Sequence, residues 1–173
     1  VYFVGSQGTV LHFDGARLKR QKVGIDFDLY DIWGSGPSNV YVVGEKGTVI
    51  HFDGSRWKAL PFDEERDFLA IWGNSPNDLW ITPRHRRPRQ LYHFDGLSWS
   101  SKNVSFDRSP VMMTRFQYEW STLWGSGSRD LWLVGDFVLR FDGASFTEVK
   151  ARRTYMNLAI WGSSKNDVFI TAG

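Results

Sequence analysis

The stretch IWGSGPSNVYVVGEKGTVIHFDGSRW, residues 32–57, decides the fold of this chain. Two residue pairs from this stretch recur along the sequence. The Trp-Gly pairs are Trp33-Gly34, Trp72-Gly73, Trp124-Gly125 and Trp161-Gly162. The Asp-Gly pairs are Asp14-Gly15, Asp53-Gly54, Asp95-Gly96 and Asp142-Gly143. A period of about 40 residues indicates a repeat protein, in which each unit must stack on its neighbours to bury its apolar face.

The spacing within the repeat is nearly constant. The distance from Asp to the next Trp is 19 residues in three cases and 29 in the fourth, and the distance from Trp to the following Asp is 20, 23 or 18 residues. This spacing divides the chain into units at about residues 1–28, 29–66, 67–118 and 119–155, with a partial unit at 156–173. We interpret residues 1–173 as a single domain or a fragment of one.

Each unit contains four short apolar segments. In the second unit they are residues 29–32, 40–43 and 49–52 and a segment around Trp57. They are rich in β-branched and aromatic residues and are separated by Gly, Asp, Asn, Ser and Pro, which is typical of β-strands. An Asp-Gly pair between two such segments predicts a type I′ hairpin turn. The sequence therefore predicts a four-stranded antiparallel meander as the repeating unit.

The second strand of each unit is apolar on both faces, so both faces of its sheet must be covered. Stacking four-stranded sheets around an axis achieves this, and the sequence therefore predicts an all-β fold, a β-propeller of four-stranded antiparallel blades. The strand before Trp-Gly is expected to be innermost, because the residues two positions before Trp are small: Asp31, Ala70, Thr122 and Ala159.

The two ends of the chain fall at the same phase of the repeat. Residues 1–5 align with residues 40–44, and residues 168–173 align with them as well. We therefore expect about four units of a larger ring of about six to eight blades, which a missing segment or a further chain completes. A head-to-tail dimer of about eight blades is the alternative.

Residues 31–60 contain the repeated motif in full: W-G-S-x-x-x-D/N-V-Y/W-x-V-G-x-x-G-T-V-x-H-F-D-G-x-x-W. This motif resembles the repeat propellers of bacterial surface and secreted proteins. These are related in style to the Asp-box and photosystem assembly-factor propellers. The resemblance implies a propeller fold and an extracytoplasmic location. It does not specify a function, because propellers host many activities. No sialidase activity is expected, since the Asp-box has a residue between Asp and Gly that this chain lacks.

Composition excludes several classes of function. A formal net charge of +2 does not favour a specific nucleic-acid partner. The chain has no Cys, which excludes a disulfide framework and a thiolate metal site. No apolar run is long enough for a membrane-spanning helix. We find no catalytic motif, and we expect neither a cofactor nor a metal.

The position two residues before the hairpin Asp, which we call the His/Arg slot, is occupied in the four units by His12, His51, His93 and Arg140. A His-x-Asp pair can bind a metal or transfer protons. Because the slot recurs once per unit and accepts Arg, we favour a structural polar contact within each sheet. Asp14, Asp53, Asp95 and Asp142 are likewise interpreted as structural turn residues.

The third unit inserts three residues between its second and third strands. The resulting segment contains five basic side chains: Arg84, His85, Arg86, Arg87 and Arg89. Guanidinium groups bind phosphate, sulfate or carboxylate through two hydrogen bonds, so this segment is a candidate site for an anionic partner. A solvated loop is the alternative.

A second insertion adds ten residues before Trp124, within residues 101–120, and includes Phe116 and Tyr118. Its apolar content suggests either a partner-binding segment or packing over one face. Asp31 is the only charged residue at the small position before Trp-Gly. If that strand lines the axis, its carboxylate faces the channel, where it is either hydrated or able to bind a cation or ligand.

The function that these features predict is a non-catalytic scaffold. We expect a rigid propeller that binds a protein or an anionic polymer through loops on one face. One alternative is a carbohydrate-binding, lectin-like propeller, which requires aromatic residues exposed between blades. Another is an enzyme whose site lies at the channel mouth, which requires carboxylates or His in loops on one face.

Overall fold

The computed structural model describes residues 1–63, 65–84, 90–105, 120–135, 137–149 and 157–172. Within these ranges the regular structure is β-strand, arranged in five antiparallel sheets. This confirms the predicted all-β class. A helix of the length and apolarity needed to cross a membrane does not occur among these residues.

We number the sheets 1 to 5 in chain order. Sheet 1 comprises β1 (Tyr2–Gly5), β2 (Thr9–Phe13) and β3 (Leu18–Gln21). Sheet 2 comprises β4 (Leu29–Gly36), β5 (Asn39–Gly44), β6 (Val49–Phe52) and β7 (Trp57–Ala59). Sheet 3 comprises β8 (Phe68–Ser75), β9 (Asp78–Pro83), β10 (Gln90–Phe94) and β11 (Trp99–Asn103). Sheet 4 comprises β12 (Trp120–Gly127), β13 (Asp130–Gly135), β14 (Val138–Phe141) and β15 (Phe146–Glu148). Sheet 5 comprises β16 (Asn157–Ser164) and β17 (Asp167–Ala172).

Sheets 2, 3 and 4 are four-stranded meanders in which each strand pairs with the next along the chain. This confirms the predicted unit. The first strand is longer than predicted, because it continues through the Trp-Gly pair, and Trp33 consequently lies opposite Tyr41 of β5. First strands of successive sheets pack side by side, with β8 between β4 and β12. That packing agrees with the innermost position predicted for them.

The turn at each Asp-Gly pair differs from the prediction. A type I′ turn needs positive φ at both central residues, yet at this pair only the glycine has it, with φ of 92° at Gly54. The turn is a four-residue loop in which the Asp53 carboxylate accepts the N–H groups of Ser55 and Arg56, both at 3.0 Å. Hydrogen bonds to the Asp side chain thus stabilise a four-residue loop in place of the predicted two-residue turn.

Two consecutive residues with positive φ occur instead between the second and third strands. Lys46 and Gly47 have φ of 51° and 66°, and the Thr48 N–H donates to the Glu45 carbonyl at 3.0 Å. Gln7 and Gly8 form the same turn in sheet 1. The two consecutive residues with positive φ are therefore Gln-Gly or Lys-Gly. They lie at the opposite end of the strands from the Asp-Gly turns.

The apolar core lies between neighbouring sheets. Tyr2 and Val4 of sheet 1 pack against Val42 and Ile50 of sheet 2, and every residue of β13 is buried. The second strands β5, β9 and β13 contribute buried apolar side chains on both of their faces, as the sequence pattern indicates.

The repeated Trp-Gly pair joins successive sheets. The described contacts are Trp33 on Gly73, Trp72 on Gly125 and Trp124 on Gly162. A Cβ atom on Gly73 would lie 2.9 Å from two ring carbons of Trp33, well inside the contact distance of about 3.5–4.0 Å. Glycine is therefore required wherever the indole of the preceding sheet rests.

Candidate functional site

Because the strands of each meander are antiparallel, the turns lie at the two opposite ends of the strands, which form two different faces of the stacked array. Turns from first to second strand and from third to fourth strand share one face, which we call the hairpin face. There a Cβ on Gly54 would lie 2.7 Å from the Ser38 Cβ. Turns from second to third strand lie with the connections between sheets on the crossover face. There the Gly47 N–H donates to the Arg66 carbonyl at 2.9 Å.

The described residues that flank the two insertions lie on the crossover face. The arginine-rich segment joins β9 to β10, and the second insertion lies in the connection from β11 to β12. Of the predicted binding residues, Arg84 is described by the structure. Six others lie outside the described residues: His85, Arg86, Arg87, Arg89, Phe116 and Tyr118.

Aspartates at the start of the first strands connect neighbouring sheets on the crossover face. The Asp67 carboxylate accepts the Lys46 N–H of the preceding sheet at 3.2 Å, while its carbonyl accepts the Arg84 N–H of its own sheet at 2.6 Å. Asp28 repeats both bonds one sheet earlier, with Gln7 and Glu45 as donors. The loops of this face are therefore held in place by hydrogen bonds that cross between sheets.

Arg84 lies at the beginning of the arginine-rich segment. Its guanidinium forms an ion pair with Asp67 at 3.0 Å and leaves 48% of the side chain exposed. The same group lies over the Tyr30 ring of sheet 2, 5.8 Å from its centroid. A cation held between a carboxylate and an aromatic ring has a defined orientation, because both contacts constrain the planar guanidinium.

Arg66 lies beside the other end of this segment, a position that the sequence pattern did not single out. One of its guanidinium nitrogens donates to the Tyr92 hydroxyl at 2.7 Å and to the Gln90 side-chain oxygen at 3.4 Å. Gln90 is the first residue described after the segment. Arg66 and Arg84 thus come from different elements and flank the segment that contains the three remaining arginines.

Two aromatic residues on this face, Phe27 and Tyr30, are partly exposed. Lys46 Nζ lies 4.5 Å from the centroid of the Phe27 ring, and the Tyr30 hydroxyl donates to Glu45 at 3.2 Å. Burial, followed by the charge of Glu45, raises the pKa of Tyr30 above its ordinary value. These residues carried no repeated motif, so the sequence did not identify them.

Asp31, predicted to face the channel, forms hydrogen bonds with two inner strands. Its carboxylate accepts the N–H of Ile32 and the N–H of Ile71 in the next inner strand, both at 2.8 Å. Burial raises the pKa of Asp31 to about 6. The two oxygens therefore connect β4 to β8, and we assign no ligand to this carboxylate.

The His/Arg slot forms contacts inside each sheet. His51 lies 2.6 Å from Asn39 and stacks on Tyr41, and His93 lies 2.8 Å from Asp78 and stacks on Trp80. Arg140 contacts the equivalent Asp130 at 2.5 Å. The hydrogen-bond partners of His51 and His93 are therefore on the second strand, and they are not the hairpin Asp residues two positions later. His12 stacks on Tyr2 of the neighbouring strand.

Comparison with known proteins places the fold. The chain is similar to a solved structure described as YCF48 bound to D1 peptide, with a TM-score of 0.56 and 17% sequence identity. The match covers 78% of this chain and 45% of that one, so the chain spans less than half of that structure. No protein-family model and no curated protein matches the sequence. The likeness is one of fold, and it agrees with the sheets described above: they are blades of a β-propeller.

Proposed function

We propose that this chain is a non-catalytic scaffold that binds an anionic segment of a protein partner on its crossover face. The binding site comprises Arg66 and Arg84 together with Arg86, Arg87 and Arg89 of the segment between them. The observation that carries the proposal is the placement of Arg66 and Arg84, which arrive from separate elements at the two ends of that segment.

The chemistry of these groups suits carboxylates, which are the anions that Asp and Glu side chains of a protein segment supply. A guanidinium presents a planar fork of N–H groups that matches a carboxylate through two parallel hydrogen bonds. Asp63 and Glu65 are also exposed in the connection before β8. Because these acidic side chains offset part of the positive charge, affinity for an anion on this face depends on the local arrangement of the arginines more than on net charge.

The rigidity of the face supports the same function. Asp28 and Asp67 accept backbone hydrogen bonds from the described loops of the preceding sheets and hold these loops in place. A preorganised surface loses less conformational entropy when a partner binds. The structure with the similar fold is described as bound to a peptide, and an extended peptide is the kind of partner that we propose here.

The proposal is tested by fluorescence anisotropy with a labelled peptide rich in Asp and Glu, and with the same peptide carrying Asn and Gln. We expect the acidic peptide to bind. Reversing the charge of Arg86 and Arg87 to Glu should weaken binding about tenfold or more and reduce its dependence on salt.

A matched control reverses Arg17 and Arg56 to Glu. Both are exposed in turns of the hairpin face, so the net charge changes equally at a distance from the proposed site. If both double variants weaken binding equally, overall charge and not this site attracts the peptide. Equal binding of the amide peptide would show that carboxylates are not recognised, and a glycan array with the same variants would then test the lectin alternative.

A further inference from the structure

Tyr30 is an exposed aromatic side chain beside the proposed binding site on the crossover face. Its surface is 37% exposed, although its strand β4 packs on both sheet 1 and sheet 3. In sheets 3, 4 and 5 the same position of the repeat is occupied by Leu69, Ser121 and Leu158. The aromatic ring is therefore a departure from the repeat, and it lies next to the arginine-rich segment.

Two contacts fix the orientation of the Tyr30 ring. Its hydroxyl donates to Glu45 at 3.2 Å, and the Arg84 guanidinium lies 5.8 Å from the ring centroid. Glu45 is itself held in place, because its other carboxylate oxygen accepts the N–H of Asp28 at 3.1 Å. A ring that is already oriented in this way loses little conformational freedom when a ligand packs on it.

A second pair of a cation and an aromatic ring lies on the same face. Lys46 Nζ is 4.5 Å from the centroid of the Phe27 ring, and Phe27 is 38% exposed. The N–H of Lys46 and the side chain of Arg84 both bond to the Asp67 carboxylate. The face therefore combines exposed aromatic rings with basic groups, and Tyr and Arg are the residues that most often dominate the energy of binding a protein partner.

We propose that Tyr30 binds an apolar side chain of the partner's anionic segment, two residues away from a carboxylate that Arg84 binds. This inference rests on the proposed function and adds the residue pattern that the site selects. In an extended peptide, residues i and i+2 project to the same side and lie about 6.6 Å apart. That spacing is close to the 5.8 Å between the Arg84 guanidinium and the Tyr30 ring. The selected pattern is an acidic residue, any residue, and an aromatic or aliphatic residue, in either chain direction.

The test compares three labelled peptides of equal charge by fluorescence anisotropy. The first peptide alternates Asp and Ser, with one central Asp replaced by Phe. The second has Ser in place of that Phe, and in the third the Phe and an adjacent Ser exchange positions. We expect the first peptide to bind about fivefold more tightly than the other two, because only its Phe lies on the same side as the carboxylates.

Variants of Tyr30 identify the residue that provides this preference. Tyr30→Ser should give the three peptides equal affinity, whereas Tyr30→Phe should keep the preference because it retains the ring. The control is Leu97→Ser, which changes an apolar residue that is 94% exposed in a hairpin turn and should leave the preference unchanged. Affinities are compared between peptides within each variant, so a general change in affinity does not affect the result. Circular dichroism establishes that each variant is folded.

The outcomes separate this inference from the proposed function. Equal affinity of the native chain for the three peptides, or a preference that persists in Tyr30→Ser, would overturn the inference. The proposed function would stand in either case if charge reversal of Arg86 and Arg87 still weakens binding. If none of the peptides binds the native chain, the proposed function fails and the role of Tyr30 fails with it.

Discussion

At the scale of single residues, the hairpin aspartates show how one carboxylate organises a turn. Asp53 accepts N–H groups from Ser55 and Arg56 and forms an ion pair with Lys58 at 2.5 Å. Lys58 and the N–H groups of the turn hold the pKa of Asp53 well below its ordinary value. The charged form therefore stabilises the folded hairpin, and this contribution is lost only when acid protonates the carboxylate.

We predict that Asp53→Ala lowers the melting temperature by a few degrees, because the turn loses its side-chain acceptor. Asp53→Asn should lower it less, since the amide oxygen still accepts an N–H. Peptide binding by the folded variants should remain unchanged, as measured by anisotropy. Loss of binding at an unchanged melting temperature would instead make Asp53 a ligand contact.

A second residue-scale prediction concerns a buried carboxylate oxygen in sheet 3. Ser126 donates to Asp130 at 2.7 Å in sheet 4, but the equivalent residue in sheet 3 is Asn74, which donates to Ser128. Among the described residues, Asp78 Oδ2 is consequently buried without a hydrogen bond. Asn74→Ser should stabilise the protein by about 1 kcal/mol in urea denaturation, because it supplies the donor that this oxygen lacks.

Asn74→Ala is the control for this prediction. It removes the bond to Ser128 as well but supplies no hydroxyl, so it should not stabilise the protein. If Asn74→Ser is no more stable than Asn74→Ala, the Asp78 oxygen gains nothing from the hydroxyl.

At the scale of elements, Asp31 connects the inner strands β4 and β8. Its pKa is raised to about 6 by burial, from an ordinary value of 3.8. The folded state therefore holds the proton more tightly than the unfolded chain does. A group of this kind favours folding below the ordinary pKa, and this stabilisation is lost as the pH rises through the folded pKa. The sign is opposite to that of the hairpin aspartates.

We predict that the stability difference between the native chain and Asp31→Ala becomes less favourable to the native chain by roughly 2 kcal/mol between pH 4 and pH 7. Alanine is the residue at the same position in sheets 3 and 5, Ala70 and Ala159. Urea denaturation of both proteins across this pH range measures the difference. Parallel stability curves would show that Asp31 has the same pKa in the folded and unfolded chains.

At the scale of the whole molecule, stability depends on the junctions between sheets. Each sheet buries its core against its neighbours, and the Trp-Gly contact recurs at successive junctions. In such an array the stability of the whole is approximately the sum of unit and junction contributions. A defect in one central junction should therefore weaken the whole domain.

Gly125 provides a test of this junction. A Cβ at this position would lie 2.8 Å from both the Asp130 carbonyl oxygen and a ring carbon of Trp72. Gly125→Ala should destabilise the protein by about 1–3 kcal/mol, because the indole must move. Gly127→Ala, two residues along the same strand, meets no atom within 4 Å and should change stability by less than about 0.5 kcal/mol. Equal effects of the two substitutions in urea denaturation would contradict the proposed role of the Trp-Gly contact.

The sequence by itself determined the all-β class, the four-stranded unit and the location of each Asp-Gly turn. These features depend on local patterns: alternation of apolar residues, β-branched composition and turn residues at fixed spacing. The detailed turn type was wrong, because the Asp side chain supplies hydrogen bonds that a backbone pattern does not reveal.

Only the tertiary structure decided which residues meet across the sheets. Trp33 reaches Gly73 and Asp31 reaches the N–H of Ile71, in each case one whole repeat away. Arg66 comes from the connection before β8, yet it lies beside Gln90, just after the segment that Arg84 begins. Such pairs follow from how sheets stack, since stacking places residues of different units in contact without leaving a local pattern in either one.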